Sequence, residues 1–137
     1  MVSPYRLALH LSMAIVTMCY TLWVAMELLS YKLPQRKQYS GLRKFSYVLT
    51  TLVGVQIILG ALVSGMRAAK YYPSWPGMNG EYFPQALRKA EFWTWQAFME
   101  FDTTIFANAF VQFFHRNTAY LITLLMLLFI GKAWKQI

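Results

Sequence analysis

Three long apolar blocks decide what this chain can become. They run over about Leu7–Leu29, Phe45–Met66 and Ile105–Gly131. A bilayer core about 30 Å thick needs roughly 20 apolar residues rising about 1.5 Å each, and every block is long enough. Glu27, close to the end of the first block, is its only charge, and the second block has none. The third carries His115 and Arg116 toward its start. In lipid every backbone N–H and C=O must find a partner within its own segment or in a closed barrel. Three segments cannot close a barrel. The expectation is an all-α integral membrane chain with three transmembrane helices, forming a single membrane domain over 1–137 with a long loop at 67–104.

Composition agrees with this reading. Only 13% of residues are charged against 58% hydrophobic, where a soluble domain carries about 25% charged residues. The formal charge of +8 is of the kind that marks nucleic-acid binding. Here, however, Lys and Arg sit just outside the apolar blocks, which is a topology signal, and no nucleic-acid partner is expected. Tyr31–Lys44 holds Lys32, Arg36, Lys37, Arg43 and Lys44 without an acid, and the tail adds Lys132 and Lys135. The 67–104 segment balances its bases with Glu81, Glu91, Glu100 and Asp102. The positive-inside rule therefore puts the first connection and the C-terminus on the cytoplasmic or matrix side, and the N-terminus and second loop outside. No cleavable leader or transit segment is evident.

The outer loop is rich in aromatics and proline, including Tyr71, Tyr72, Trp75, Trp93, Trp95, Pro73, Pro76 and Pro84. Proline fixes Tyr72–Pro76 as extended or turning backbone, and Ala86–Glu100 is expected as one short surface helix. Trp and Tyr favour the headgroup zone. A lid over a ligand is the other reading.

Both histidines, His10 and His115, fall inside membrane spans. Because the first and third helices run oppositely, both lie at similar depth near the outer side. A polar group in lipid faces a partner, a cavity or a cofactor. Neutral imidazole is a common axial ligand to haem iron in helix bundles. Ala14 at i+4 from His10, and Thr118 and Ala119 beyond His115, leave room for a flat ring. Arg6 and Arg116 are placed to meet propionates or to snorkel to headgroups, and Gln112 shares the His115 face. Helix–helix hydrogen bonding is the competing use of these imidazoles. Gly60 with Ser64, and Ala61 with Gly65, are small-xxx-small pairs that signal close helix approach. Cys19, the only cysteine, reads as a small apolar residue. Hydrolase, P-loop and HExxH patterns are absent, and no side chain is assigned as catalytic.

Four ordered stretches carry a more specific signal: VSPYRLALHLS (Val2–Ser12), GALVSGMRA (Gly60–Ala68), YPSWPGMNGEYFP (Tyr72–Pro84) and FVQFFHRNTAYL (Phe110–Leu121). Together they resemble the haem A synthase family of mitochondrial and proteobacterial type, over nearly the whole chain. That family has eight transmembrane helices in two four-helix-bundle-type halves. It oxidises a ring methyl of haem O to a formyl group, giving haem A for cytochrome oxidase. The resemblance is to the fourth, fifth and sixth helices, so the chain reads as a piece of that fold. It implies His10 as an iron ligand for the substrate haem O and His115 as an iron ligand for a b-type haem, with Arg6 and Arg116 as further cofactor-binding residues. Each histidine's partner would lie on helices outside this stretch, supplied by those helices or by self-association. An electron-donor protein and the lipid bilayer are the other implied partners. The implied location is the bacterial plasma membrane, with the mitochondrial inner membrane as alternative. The chain departs from the family pattern at Phe114, where an acid is usual, at Pro73 for Asn, and at Gly77 for a larger apolar residue. A three-helix b-type haem anchor of a respiratory complex is the alternative function.

Overall fold

The computed structural model of the protein describes residues 3–29, 40–89, 91 and 93–135. Lys32, Arg36 and Lys37, on which part of the charge argument rests, lie outside the described residues, as does any pairing of Glu27 with Lys32. Among the described residues there are six helices and no strand. Three are long: α1 (Pro4–Leu28), α2 (Ser40–Gly65) and α6 (Ile105–Trp134). Each is long and apolar enough to cross a membrane, and the chain is an integral membrane protein. The short helices α3 (Ala68–Tyr71), α4 (Gln85–Arg88) and α5 (Trp95–Met99) belong to the segment between α2 and α6.

Several hydroxyls within the spans are satisfied locally. Hydroxyls of Ser12, Thr17, Thr21, Ser46, Thr51 and Thr123 each donate to the carbonyl four residues earlier on the same helix. An unsatisfied hydroxyl would be costly against lipid, and this local bond removes it. What remains on the flanks is apolar. Leu9, Val16, Met18, Leu22 and Trp23 of α1 are all exposed, as are Leu124, Leu127 and Ile130 of α6. Exposed apolar side chains on such helices suit hydrocarbon or the faces of further helices.

α2 is the middle helix, with α1 and α6 each packed along it. Its small residues set the distances. A Cβ added at Gly65 would lie 2.8 Å from Pro4 Cβ and 2.9 Å from Pro4 Cα, so the first turn of α1 rests directly on the α2 backbone. Pro4 suits this place because the first helical position needs no N–H. At the other end, Lys132 stands 5.6 Å from the Phe45 ring centre, and Phe45 meets Phe129 edge to face.

Burial concentrates at the loop end. Phe106, Ala107, Asn108, Ala109, Val111 and Gln112 of α6 are buried. One cluster joins Tyr72, Met78, Leu87, Ala97, Phe106 and Ala109. A second joins Met66, Ala68, Ala107 and Val111, with Tyr5 packed against it. Burial, and then the Glu81 carboxylate, push the Tyr72 hydroxyl above its ordinary value of 10.0, so it stays a neutral member of its cluster.

The loop itself is built, not merely draped. Asn79 (φ 56°) and Gly80 (φ 88°) occupy the left-handed region, as a two-residue hairpin turn with positive φ at both centres requires. Met78 N donates to Glu81 O at 2.6 Å and Glu81 N to Met78 O at 3.2 Å. A Cβ at Gly77 would come within 3.2 Å of Glu81 O, so a larger residue there would press on this hairpin. Arg116 of α6 holds the segment in place. Its Nη1 donates to Ser74 O (2.6 Å) and Gly77 O (2.8 Å), and its Nη2 to Tyr72 O (2.6 Å). Tyr82 donates to Asn117 Oδ1 and Tyr120 to Pro76 O, so the loop lies along one end of α6.

The single helix expected over Ala86–Glu100 is not formed. It is split into α4 and α5, because Lys89 takes an extended conformation (φ −86°, ψ 111°). Thr94 then caps α5 through its side chain, accepting from Ala97 N at 3.3 Å. Trp93 Nε1 donates back to Leu87 O at 3.1 Å, tying the two pieces together.

Two outcomes follow from this packing. Gly65→Ala lowers stability toward denaturation in detergent by about 1–3 kcal/mol, the range for overpacking. Gly54→Ala, whose Cβ meets nothing within 4 Å, is neutral or stabilising. Equal behaviour of the two variants, followed by circular dichroism, would show that the Pro4–Gly65 approach is not a stability determinant. Charge-assisted hydrogen bonds contribute about 1.5–3 kcal/mol each. Arg116→Leu therefore speeds amide exchange at the hydrogen-bonded Met78, Asn79 and Glu81 positions at least about tenfold. Unchanged exchange would mean that the hairpin stands without Arg116.

Candidate functional site

His10 and His115 reach the same level of α2 from different helices. His10, on α1, is exposed and lines an open groove of about 660 Å³ between α1 and α2. Ala14 lies one turn further along the same wall, and Gly60, Ala61 and Ser64 form the α2 side. The volume falls in the range of small-molecule and cofactor sites, about 300–1,000 Å³. Most of the lining is apolar, with the imidazole as the conspicuous polar group. The small residues read from the sequence as packing positions thus divide their work. Gly65 takes the close crossing with Pro4, while Gly60, Ala61 and Ser64 leave the groove its floor.

His115, on α6, presses on the same floor. A Cβ at Gly60 would lie 3.2 Å from His115 Cε1 and 3.8 Å from its Nδ1. The ring lies against the α2 backbone because Gly60 has no side chain. Its Nδ1 is buried without a hydrogen-bond partner. A buried polar atom left unpaired is uncommon and calls for a reason, such as a ligand-binding or catalytic role.

The other expected residues fall in different places. Arg6 is exposed near the loop end of α1, with no hydrogen bond or ion pair among the described residues. Arg116 is not similarly available, since its guanidinium spans three loop carbonyls. Gln112 belongs to the same arrangement. With its amide oxygen oriented toward Arg116, as the hydrogen bonding requires, it accepts from Nε at 3.1 Å and Nη2 at 2.9 Å. Gln112 therefore supports Arg116 instead of tuning His115. Thr118 and Ala119 are half-buried. Phe114, where the family usually has an acid, is partly exposed and meets Phe110 in a tilted contact with ring centres 4.5 Å apart. Trp75 and Trp95 point outward at 75% and 79% exposure, as headgroup anchors do, while Tyr72 is buried. Tyr72 instead packs in the apolar cluster beneath the loop.

Sequence reasoning missed Gln56. Its Nε2 donates to the His115 carbonyl at 3.1 Å, and its Oε1 is buried without a partner. The signal was available: a lone amide in a span with no charge, four residues before Gly60 and therefore on the same helix face.

Among the described residues no group of three or more His, Cys, Asp or Glu could hold a bare metal ion. The chemistry present is that of single imidazoles beside apolar space, which suits a cofactor bringing most of its own metal ligands. Comparison with known proteins points the same way. The family described as cytochrome oxidase assembly protein matches residues 1–137. Among curated relatives, the haem A synthase of Maricaulis maris is 37% identical over 136 residues, covering 98% of this chain and 37% of that protein. Those of Parvibaculum lavamentivorans and Pelagibacter ubique are 40% and 34% identical, covering 90% and 88% of this chain and 33% of each relative. The chain thus spans about a third of the length of the curated relatives it matches. No solved structure matches. With motifs, span pattern and relatives in agreement, the chain belongs to the haem A synthase family of cytochrome oxidase assembly proteins.

Proposed function

We propose that this chain provides the central part of a haem A synthase site, in which His10 and His115 would each hold a haem iron. The observation carrying the reading is the pair of imidazoles set on one small-residue floor. One opens onto an apolar groove of cofactor size, and the other holds a buried, unpartnered nitrogen. In this reading His10 takes the substrate, haem O, and His115 a b-type haem. When bound, haem would supply the redox chemistry for oxidising a ring methyl to a formyl group, with dioxygen as the external oxidant and a separate donor protein providing the electrons that reduce dioxygen's second oxygen atom to water. The residues of this chain hold and enclose the haem. Ala14, Gly60, Ala61 and Ser64 give a flat ring its space. The apolar lining excludes water. Arg6, near the loop end of the same helix as His10, is the cation able to meet a propionate. Arg116 acts at one remove, holding the loop against the end of α6 next to His115. A further ligand to each iron would come from additional helices of the family's fold or from a second copy. The side of the membrane follows the charge asymmetry, with the loop end outside.

A three-helix haem anchor of a respiratory complex would also place histidines in membrane spans. It does not account for relatives that are haem A synthases over 88–98% of this chain.

The test is a dithionite-reduced minus oxidised visible spectrum of the detergent-purified chain, expressed with abundant haem. A low-spin haem signal is expected, diminished in His10→Ala and in His115→Ala and abolished in the double variant. A parent chain without haem, or a double variant with an unchanged spectrum, would sink the assignment of both ligands.

A further inference from the structure

Gln56 and His115 leave two buried atoms without partners at one point of the α2–α6 interface. Gln56 Nε2 donates to the His115 backbone carbonyl at 3.1 Å. That bond fixes which way the amide faces, because the reversed orientation would set oxygen against oxygen. Gln56 Oε1 is then an acceptor sealed from solvent with nothing to accept from. His115 Nδ1 is likewise sealed and unpaired. Gly60, one turn beyond Gln56 on the same face of α2, lets the ring close in, with Nδ1 3.8 Å from where its Cβ would be. An acceptor and an imidazole nitrogen are thus left over on two residues already joined by a hydrogen bond.

Leaving either atom unsatisfied costs about 1–3 kcal/mol. One arrangement relieves both. The two atoms are not hydrogen-bonded to each other as they stand; with Nδ1 carrying the imidazole proton, a small side-chain rotation or a single buried water would let it donate to Gln56 Oε1. The opposite tautomer leaves two acceptors, Oε1 and a bare Nδ1, without a donor. Helical backbone amides nearby are committed to their own ladder and offer no alternative.

We propose that Gln56 is the positioning residue for His115. It holds the backbone carbonyl through Nε2 and the imidazole through Oε1, and so selects the Nδ1–H tautomer. Nε2 of the ring, which no described residue encloses in this way, then presents its lone pair. Histidines that ligate metals are commonly oriented by such a bond from the other ring nitrogen, and losing that partner costs about 10–100-fold in affinity. The tautomer stands independently of haem. Its consequence for ligation rests on the functional reading above.

The experiment separates the two. The ¹⁵N spectrum of the histidine-labelled chain in detergent, at about pH 8 where ordinary imidazole is neutral, reads the tautomer of each ring directly. Only two histidines are present, and His10→Gln assigns them. In the parent chain His115 is expected as the Nδ1–H form. Gln56→Leu, of similar bulk, is expected to lose that form, and Gln56→Glu, which retains an acceptor, to keep it. A parent His115 in the Nε2–H form would overturn the proposal even if both variants failed to fold. So would a Gln56→Leu variant of unchanged helicity and unchanged ¹⁵N shifts. In haem-loaded protein carrying His10→Ala, Gln56→Leu is expected to weaken haem retention about tenfold or more. Equal retention would overturn the positioning role. A parent chain that binds no haem would instead sink the ligand assignment and leave the tautomer result intact.

Discussion

The missing side chains of α2 are the constraint on which the rest depends. Association of helices in lipid draws little from the hydrophobic effect and rests on close packing and hydrogen bonds. Close packing requires that something be small. At Gly65 the small element admits Pro4, and the two helices meet with hardly a carbon's width between backbones. At Gly60 it admits an imidazole from α6. Between them, Ala61 and Ser64 keep the α1 side hollow. A larger residue at any of these positions would close a contact or fill the cavity. The same stripe is thus structural at one turn and site-forming at the next.

The loop end answers a different physical demand. Irregular backbone carries carbonyls that need donors, and near a membrane water is an uncertain supplier. Arg116 meets three of them at once, in a geometry a lysine could not copy, because the planar guanidinium fork reaches several acceptors together. Gln112, buried within α6, steadies that fork from below. The aromatic cluster around Phe98, Phe106 and Phe110, joined edge to face, gives the carbonyl clamp a firm base. His115 therefore lies next to a loop clamped by several hydrogen bonds, whereas His10 lies on a helix that is mostly exposed.

Much of this was legible in the sequence, for identifiable reasons. The three long helices follow from uninterrupted apolar runs, which have no other stable state in a bilayer. The four ordered motifs placed the chain in its family before any contact was known. The hairpin at Asn79-Gly80 was not read from the sequence, although Asn-Gly is the usual dipeptide of such a turn. Other features depend on tertiary geometry that spacing does not carry. Arg116 sits beside His115 in sequence, yet successive helical residues diverge by about 100°, so its partners lie in the loop. The break between α4 and α5 comes from Lys89 adopting extended backbone, with Trp93 folding back on Leu87, and no proline or glycine announced it. Gln56 went unremarked because an uncharged amide barely lowers the hydropathy of a span.

The crossing of Pro4 with Gly65 also has a mechanical side. It lies at one end of α1, whereas the groove opens further along the same rod. From Pro4 to Ala14 is about 15 Å of helix at 1.5 Å per residue. With that crossing as fulcrum, a tilt of about 10° moves the Ala14 wall by roughly 2–3 Å, most of the thickness of a flat ring. The width of the groove is then set by leverage. The groove is therefore sensitive to the angle at which α1 crosses α2, whereas the imidazole of α6 is held by a different contact, beside the clamped loop.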